Sequence, residues 1–245
     1  MKRFPVGSLV RYGAVGVALV SLLLVPGVTQ ARPSFCVQDN AFSISNAPGY
    51  CFAMAAFSGW YYHTHRAEPP LRKILDRKSQ EQIARELQGF YSKNLVSLQA
   101  AYCNRYHGNQ TESFKRFISC LITGEPRIVL LMNRGPRGAV LHAVLAYEWH
   151  PEQHLLKIYD PNYCNEERFL DLERRQYTSL DITYDAICFP EVLQTNRALL
   201  RKMESLYAFH VEPKIAVLVR NWRRAAFSPS RPLLKRERYS HGPTR

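Results

Sequence analysis

Cys51, His142 and Asp160 have the types and the order along the chain that covalent acyl chemistry needs. A cysteine thiolate attacks an acyl carbon, a histidine accepts and returns the proton, and a carboxylate orients the imidazole. Cys51 directly follows a Pro-Gly turn and opens an apolar, alanine-rich stretch. At a helix N-terminus, unpaired N–H groups and the positive end of the dipole favour the thiolate. The alternative is a core cysteine at the start of a buried helix.

A predicted hairpin brings the histidine to the carboxylate. His142 lies in an apolar strand pattern over residues 139–149, and a second strand pattern over 155–159 ends at Asp160. If the two strands pair about the turn between them, positions 142 and 160 meet at the same end of the hairpin. A buried imidazole in so apolar a strand needs a polar partner. Asn162, two residues further on, is an alternative orienter.

The remaining elements predict helices first and antiparallel strands afterwards. Helices are expected over 51–65, over 71–106 with breaks near 76–79 and Gly89, over 111–122 and over 190–206. Strands are expected over 127–132, 139–149 and 155–159, with one or two more in 168–188 and a last one over 207–211; residues 133–138 form a loop. This order predicts an α+β domain, in which a central helix that carries the cysteine packs on a C-terminal antiparallel β-sheet.

Over residues 40–190 the chain resembles the papain-like cysteine peptidase superfamily. The resemblance rests on Cys51 at the start of an apolar helix, His142 in "HAVLAY" and Asp160 in "IYDPN". Within that superfamily it is similar to the exported or processing bacterial branches, including the peptidases that clip double-glycine leaders. The resemblance implies a papain-like fold, a Cys-His-Asp triad and an acyl-enzyme intermediate.

The resemblance also implies an oxyanion hole made by the Cys51 backbone N–H and one side-chain donor. In the family that donor is typically a glutamine shortly before the cysteine, whereas this chain has Ser45 and Asn46 there. Asn46 is therefore the predicted donor, and Gln38 is a more distant candidate.

The predicted function is that of an exported cysteine hydrolase that cleaves peptide bonds in a peptide or protein substrate. A related acyl transferase or amidase is one alternative. A catalytically inactive papain-like binding module or secreted effector is another. No cofactor or metal is expected, because the pair His63-Thr-His65 has no further ligand cluster with matching spacing.

The N-terminus has the pattern of a secretory signal peptide over residues 1–31. Lys2 and Arg3 precede an apolar run over 13–25, and small residues at Thr29 and Ala31 predict cleavage after Ala31. The run is short for a membrane span of about 20 residues, so an uncleaved anchor is the lesser alternative. The pattern predicts a secreted or periplasmic protein, with the catalytic domain over 32–219.

The positive charge is concentrated at the ends of the chain. The formal net charge is +13, but residues 32–219 hold 22 Lys/Arg against 19 Asp/Glu. Nucleic-acid binding is therefore not expected. Residues 220–245 hold eight Lys/Arg and one acidic residue, Glu237, and are predicted to form a basic disordered tail. Such a tail can contact anionic lipid headgroups or acidic partners, or remain a solvated terminus.

Export makes the six cysteines candidates for disulfides. A nucleophilic Cys51 leaves five, of which one stays unpaired or finds an external partner. The predicted pairs are Cys103–Cys120 and Cys164–Cys188, because each brackets a short excursion of the chain. In the alternative, Cys51 is itself in a disulfide.

Overall fold

The computed structural model describes residues 34–47, 49–97, 111–135, 138–190 and 196–226. Its helices are α1 (Val37–Asn40), α2 (Cys51–Thr64), α3 (Leu71–Ile74), α4 (Arg77–Asn94), α5 (Thr111–Ile122), α6 (Arg197–His210) and α7 (Glu212–Ala226). Its strands are β1 (Arg127–Gly135), β2 (Gly138–His150), β3 (Leu155–Tyr159), β4 (Glu167–Asp171), β5 (Tyr177–Ser179), β6 (Ile182–Tyr184) and β7 (Ala186–Cys188). The predicted signal peptide lies outside the described residues.

Two antiparallel sheets follow the first helices. The larger sheet has the order β4-β3-β2-β1-β7, and β5 pairs with β6 in a separate two-stranded sheet. The prediction of an α+β arrangement is therefore confirmed at the level of mixed helix and sheet. None of the helices in the described residues has the length and apolarity needed to cross a membrane.

Helix α2 is the central helix because its sequence is apolar on nearly all sides. Ten of its fourteen residues are buried, and eight of these pack in one cluster with residues from α4, α6 and one face of the sheet. The contact with the sheet is close at Gly59, where an added Cβ would lie 2.7 Å from Cδ1 of Leu145. A glycine here lets the second half of α2 lie close against β2.

The other face of the sheet is covered by α5 and by the β5–β6 pair. Alternation along β1 and β2 sends Val129 and Val144 to this side, whereas Leu130 and Leu145 point towards α2. The sheet is thus buried on both faces, and buried side chains from Ala143 to Tyr147 on β2 alternate between the two clusters.

Helix α4 differs from the prediction at Gly89. The N-cap Asp76 accepts a hydrogen bond from the backbone N–H of Ser79, and the helix then runs to Asn94 without a break. A glycine inside a helix costs only about 1 kcal/mol relative to alanine. The burial of the α4 side chains Ile83, Leu87 and Tyr91 outweighs this cost.

Three further boundaries are corrections. Strand β1 continues through residues 133–135, which were predicted as loop, because they pair with β2. Residues 207–210 belong to α6 rather than to a last strand, and they continue its helical packing against the core. Residues 220–226 belong to α7, so the predicted disordered tail is wrong for them. Residues 227–245 lie outside the described residues, as do 98–106 and 191–195 of the predicted helices.

Candidate active site

Asp160 is the centre of a buried hydrogen-bond network. Its Oδ1 accepts from His142 Nε2 at 2.7 Å and from the Asn162 backbone N–H at 2.9 Å. Its Oδ2 accepts from the Tyr177 hydroxyl at 2.8 Å and from Ser179 Oγ at 2.7 Å. The side chain is fully buried. Four donors around one carboxylate stabilise its ionised form.

The same contacts set the charge of the pair. Burial alone would raise the pKa of the Asp160 carboxyl, but the hydrogen bond and charge of His142, with the donors Ser179 and Asn162, lower it. Burial alone would lower the pKa of His142, but hydrogen bonding to Asp160 and to the Cys51 side chain raises that pKa to about 9. At neutral pH the site therefore holds an imidazolium against a carboxylate.

Cys51 is the first residue of α2 and lines a cavity of about 520 Å³ together with His142. The turn before it is closed by the Gly49 N–H, which donates to the Asn46 carbonyl at 2.7 Å, and Gly49 has the positive φ that glycine allows. The thiol is reduced and partly exposed. Since His142 Nε2–H is directed to Asp160, the other ring nitrogen is the one left to exchange a proton with the thiol.

Two tyrosines also face the sulfur. Burial, together with the charges of Cys51 and Asp160, raises the pKa of Tyr184 to about 12, and burial and Cys51 likewise raise the pKa of Tyr91. Tyr184 also stacks on the His142 ring at 5.6 Å between centroids. Both phenols are therefore neutral near pH 7, and they line the cavity without adding charge.

The predicted oxyanion donor Asn46 lines the same cavity. Its Nδ2 donates to Asn162 Oδ1 at 2.6 Å, which commits one of its two amide hydrogens. Asn162 in turn donates to Ser179 Oγ at 2.8 Å and makes no described contact with His142. The structure thus assigns the contact with the imidazole to Asp160 rather than to the alternative orienter. Gln38 donates instead to the Asn165 carbonyl at 3.2 Å.

Sequence reasoning missed Gln88, Tyr177 and Ser179. Gln88 lines the cavity from α4, and its Oε1 accepts the Ala53 N–H at 3.2 Å, so the carboxamide lies at the first turn of α2. Nothing in the sequence signals this contact, because 37 residues separate Gln88 from Cys51. Tyr177 and Ser179 are two residues apart, the spacing of one strand face, but only the fold shows that this face is turned to Asp160.

The hairpin prediction is confirmed, and its register is corrected. Tyr159 pairs with Leu145, and Ile158 pairs with Ala146. A bulge between Ala146 and Glu148 then shifts the pairing by one residue on the side of the turn, where Lys157 pairs with Glu148. Continuing the register of the Leu145–Tyr159 pair places Asp160 opposite position 144, diagonal to His142 on the same face. Diagonal neighbours on one face remain within reach of long side chains, so the contact still forms.

The predicted disulfides are wrong. Cys120 and Cys164 carry free thiols, as do Cys36 and Cys51. Cys188 is disulfide-bonded. Cys103 lies outside the described residues. Bracketing a short stretch of chain does not bring two sulfurs together unless the backbone directs both Cβ atoms at each other.

The raised pKa of His142 predicts a pH-dependent stability. The folded state holds its proton up to about pH 9, whereas an unfolded histidine releases it near 6.5. The contribution is complete below pH 6.5 and is lost as pH rises to 9. By linkage it amounts to roughly 3 kcal/mol of unfolding free energy. Urea unfolding between pH 6 and pH 9 should show this fall in wild type and lose it in His142→Gln.

The matched control is His154→Gln, which removes an exposed histidine bonded to Glu173 and should keep the fall. An identical pH profile in wild type and His142→Gln would contradict the charged pair.

Comparisons of this chain with family models, curated proteins and solved structures found no match.

Proposed function

We propose that this chain is an exported papain-like cysteine hydrolase that cleaves peptide bonds through Cys51, His142 and Asp160. The observation that carries the proposal is the 2.7 Å bond between His142 Nε2 and Asp160 Oδ1 beside a cavity that also holds the Cys51 thiol. The order of the elements supports a papain-like fold: the cysteine opens a buried helix, and the histidine and the carboxylate follow on antiparallel strands.

The reaction assigns one role to each side chain. Cys51 Sγ attacks the carbonyl carbon of the scissile amide, and the thiol proton is held by His142. His142 gives that proton to the amide nitrogen as the C–N bond breaks, which leaves a thioester on Cys51. A water then loses a proton to His142 and attacks the thioester carbon, and the C–S bond breaks. The acid leaves, and the Cys51 thiolate and the protonated His142 are regenerated. Asp160 holds the ring in one tautomer throughout.

Two carboxamides can support the oxyanion beside the Cys51 backbone N–H. Asn46 is the donor that the resemblance implies, and it keeps one amide hydrogen beyond its bond to Asn162. Gln88 supports the same role because its oxygen is fixed on the Ala53 N–H, which places its NH₂ group at the first turn of α2. A donor supplied by α4 compensates for the glutamine that is missing before Cys51.

The cavity favours an uncharged substrate residue. Among the described residues that line it there is no Lys, Arg, Asp or Glu, and its walls are largely apolar; these include Phe52, Val96, Leu130, Leu141 and Ile182. Burying a charged side chain there would cost free energy without a partner. We therefore expect cleavage next to apolar residues in a peptide library.

Thiol alkylation tests the proposal without knowledge of the substrate. Iodoacetamide at pH 7 should label Cys51 at least about tenfold faster in wild type than in His142→Gln, because an adjacent imidazolium stabilises the thiolate. Peptide mapping by mass spectrometry reports each cysteine separately, so the free thiols of Cys36, Cys120 and Cys164 serve as internal controls. Equal Cys51 labelling in the two proteins would contradict the Cys-His pair.

A peptide-library digest then distinguishes the reaction. Cleavage that is lost after alkylation of Cys51 supports a peptidase. Fast alkylation with no cleavage of any library peptide would contradict peptide hydrolysis and favour acyl transfer.

A further inference from the structure

The described side chains that attach helix α7 to the rest of the domain lie in its first turn. Lys214 Nζ donates to Asp76 Oδ2 at 2.5 Å and to Ser79 Oγ at 2.8 Å, which ties it to the N-terminus of α4. Val211, just before the helix, is fully buried, and Ile215 packs against the core. From Ala216 onwards, every α7 residue whose side chain is described is exposed.

An apolar stripe follows the helix out of the core. Ile215, Leu218, Val219 and Trp222 have the spacing i, i+3, i+4, i+7 that places them on one face. Exposure increases along this stripe, from a partly buried Ile215 to 42% for Leu218, 44% for Val219 and 71% for Trp222. Val217 is exposed beside the stripe, and the helix also carries Lys214, Arg220, Arg223 and Arg224. An exposed apolar face on a helix with basic residues indicates an interaction surface.

The charge around the stripe is of one sign. After Glu212 the next acidic residue in the sequence is Glu237, and nine Lys/Arg lie between 212 and 245. A second copy of the chain would bring these like charges together, which opposes self-association. An anionic bilayer surface instead complements them, and tryptophan and arginine are the side chains that suit the boundary between headgroups and acyl chains.

We propose that α7 lies in the surface of an anionic lipid bilayer, with Leu218, Val219 and Trp222 inserted and the basic residues on the headgroups. This surface is separate from the proposed catalytic site, since none of the described residues that line the cavity with Cys51 belongs to α7.

Vesicle binding by the full chain tests the proposal. The chain should bind phosphatidylglycerol–phosphatidylcholine vesicles more tightly than phosphatidylcholine vesicles, because the attraction to anionic headgroups is electrostatic. The double variant Leu218→Ser/Trp222→Ser should weaken binding to the anionic vesicles at least about tenfold. The reason is that burial of a large apolar side chain in the bilayer contributes strongly to the free energy of binding. Ile122→Ser, which removes an equally exposed apolar side chain from the end of α5, is the control and should bind as wild type does.

Trp222 gives a local readout. Acyl chains that carry bromine should quench part of the tryptophan fluorescence in wild type, and Trp222→Phe should remove that quenching while most of the binding remains. This signal is independent of any vesicle contact made by the apolar run at 13–25, because that run contains no tryptophan. Trp60 and Trp149 are the other tryptophans of the chain.

Three results would overturn the proposal. The first is equal binding to both kinds of vesicle, and the second is unchanged binding or persistent quenching in the variants. The third is a dimer in analytical ultracentrifugation that Leu218→Ser/Trp222→Ser dissociates while vesicle binding stays unchanged, which would make the stripe a protein interface.

Discussion

Replacing Cys51 by alanine is expected to lower peptide cleavage at least about 10³-fold while leaving the fold intact. The proposed nucleophile is lost, and no other cysteine is among the described residues that line the cavity. The stability cost should stay within about 1 kcal/mol, because the side chain is partly exposed and only its sulfur is removed. Cleavage of a library-selected peptide and urea unfolding are the two measurements.

Cys120→Ala is the matched control for this substitution. Cys120 lies on α5 and is not among the described residues that line the cavity. Its sulfur accepts a hydrogen bond from an Arg127 side-chain nitrogen at 2.8 Å, and the variant should keep full activity. A Cys51→Ala protein that still cleaves would rule out Cys51 as the nucleophile. One that unfolds would instead support the core-cysteine interpretation.

The parts of the site that local sequence determines could be predicted. The apolar run after Cys51 can only be a buried helix, and its observed start at Cys51 follows from the turn that Gly49 closes. Strand β3 was predicted with its observed bounds because Asp160-Pro161 ends it, since proline cannot continue the ladder of hydrogen bonds. Positions 142 and 160 lie on one face in the register of the Leu145–Tyr159 pair, and a slip of one residue would separate them.

The parts that depend on distant packing could not be predicted. The bulge after Ala146 changes the register, but no glycine or proline lies between Ala146 and Glu148 to indicate it in the sequence. Tyr177 and Ser179 reach Asp160 only because the β5–β6 pair folds over the second face of the sheet. The dense arginines after 220 predicted disorder from composition alone, whereas the stripe at 215, 218, 219 and 222 keeps the helical period.

Replacing Asp160 is expected to affect stability and catalysis together. In Asp160→Ala, the imidazolium of His142 and the hydroxyls of Tyr177 and Ser179 lose their shared acceptor inside the protein. Leaving one partner of a buried ion pair alone costs about 3–5 kcal/mol. Asp160→Asn keeps the shape and can still accept hydrogen bonds, so its loss of unfolding free energy should be smaller than that of the alanine variant.

Asp160→Asn should differ from wild type more in catalytic rate than in stability. An amide NH₂ group turned to His142 forces the neutral ring to accept at Nε2, which leaves the proton on the nitrogen that must take one from Cys51. We expect a loss of about 10²–10⁴-fold in kcat for Asp160→Asn. The same variant should lose the fall in unfolding free energy between pH 6.5 and 9, because the carboxylate is the main partner that raises the pKa of His142.

Two controls separate this role from general destabilisation. Asp171→Asn changes a carboxylate that caps a surface turn by accepting from the N–H groups of Glu173 and Arg174, and it should change kcat little. Asn162→Ala removes the alternative orienter, and it should retain far more activity than Asp160→Asn because Asn162 has no described contact with the imidazole. Full activity in Asp160→Asn, with a collapse of activity in Asn162→Ala, would transfer the orienting role to Asn162. Wild-type stability in Asp160→Ala would contradict the buried network itself, since four donors cannot lose a common carboxylate without a cost in unfolding free energy.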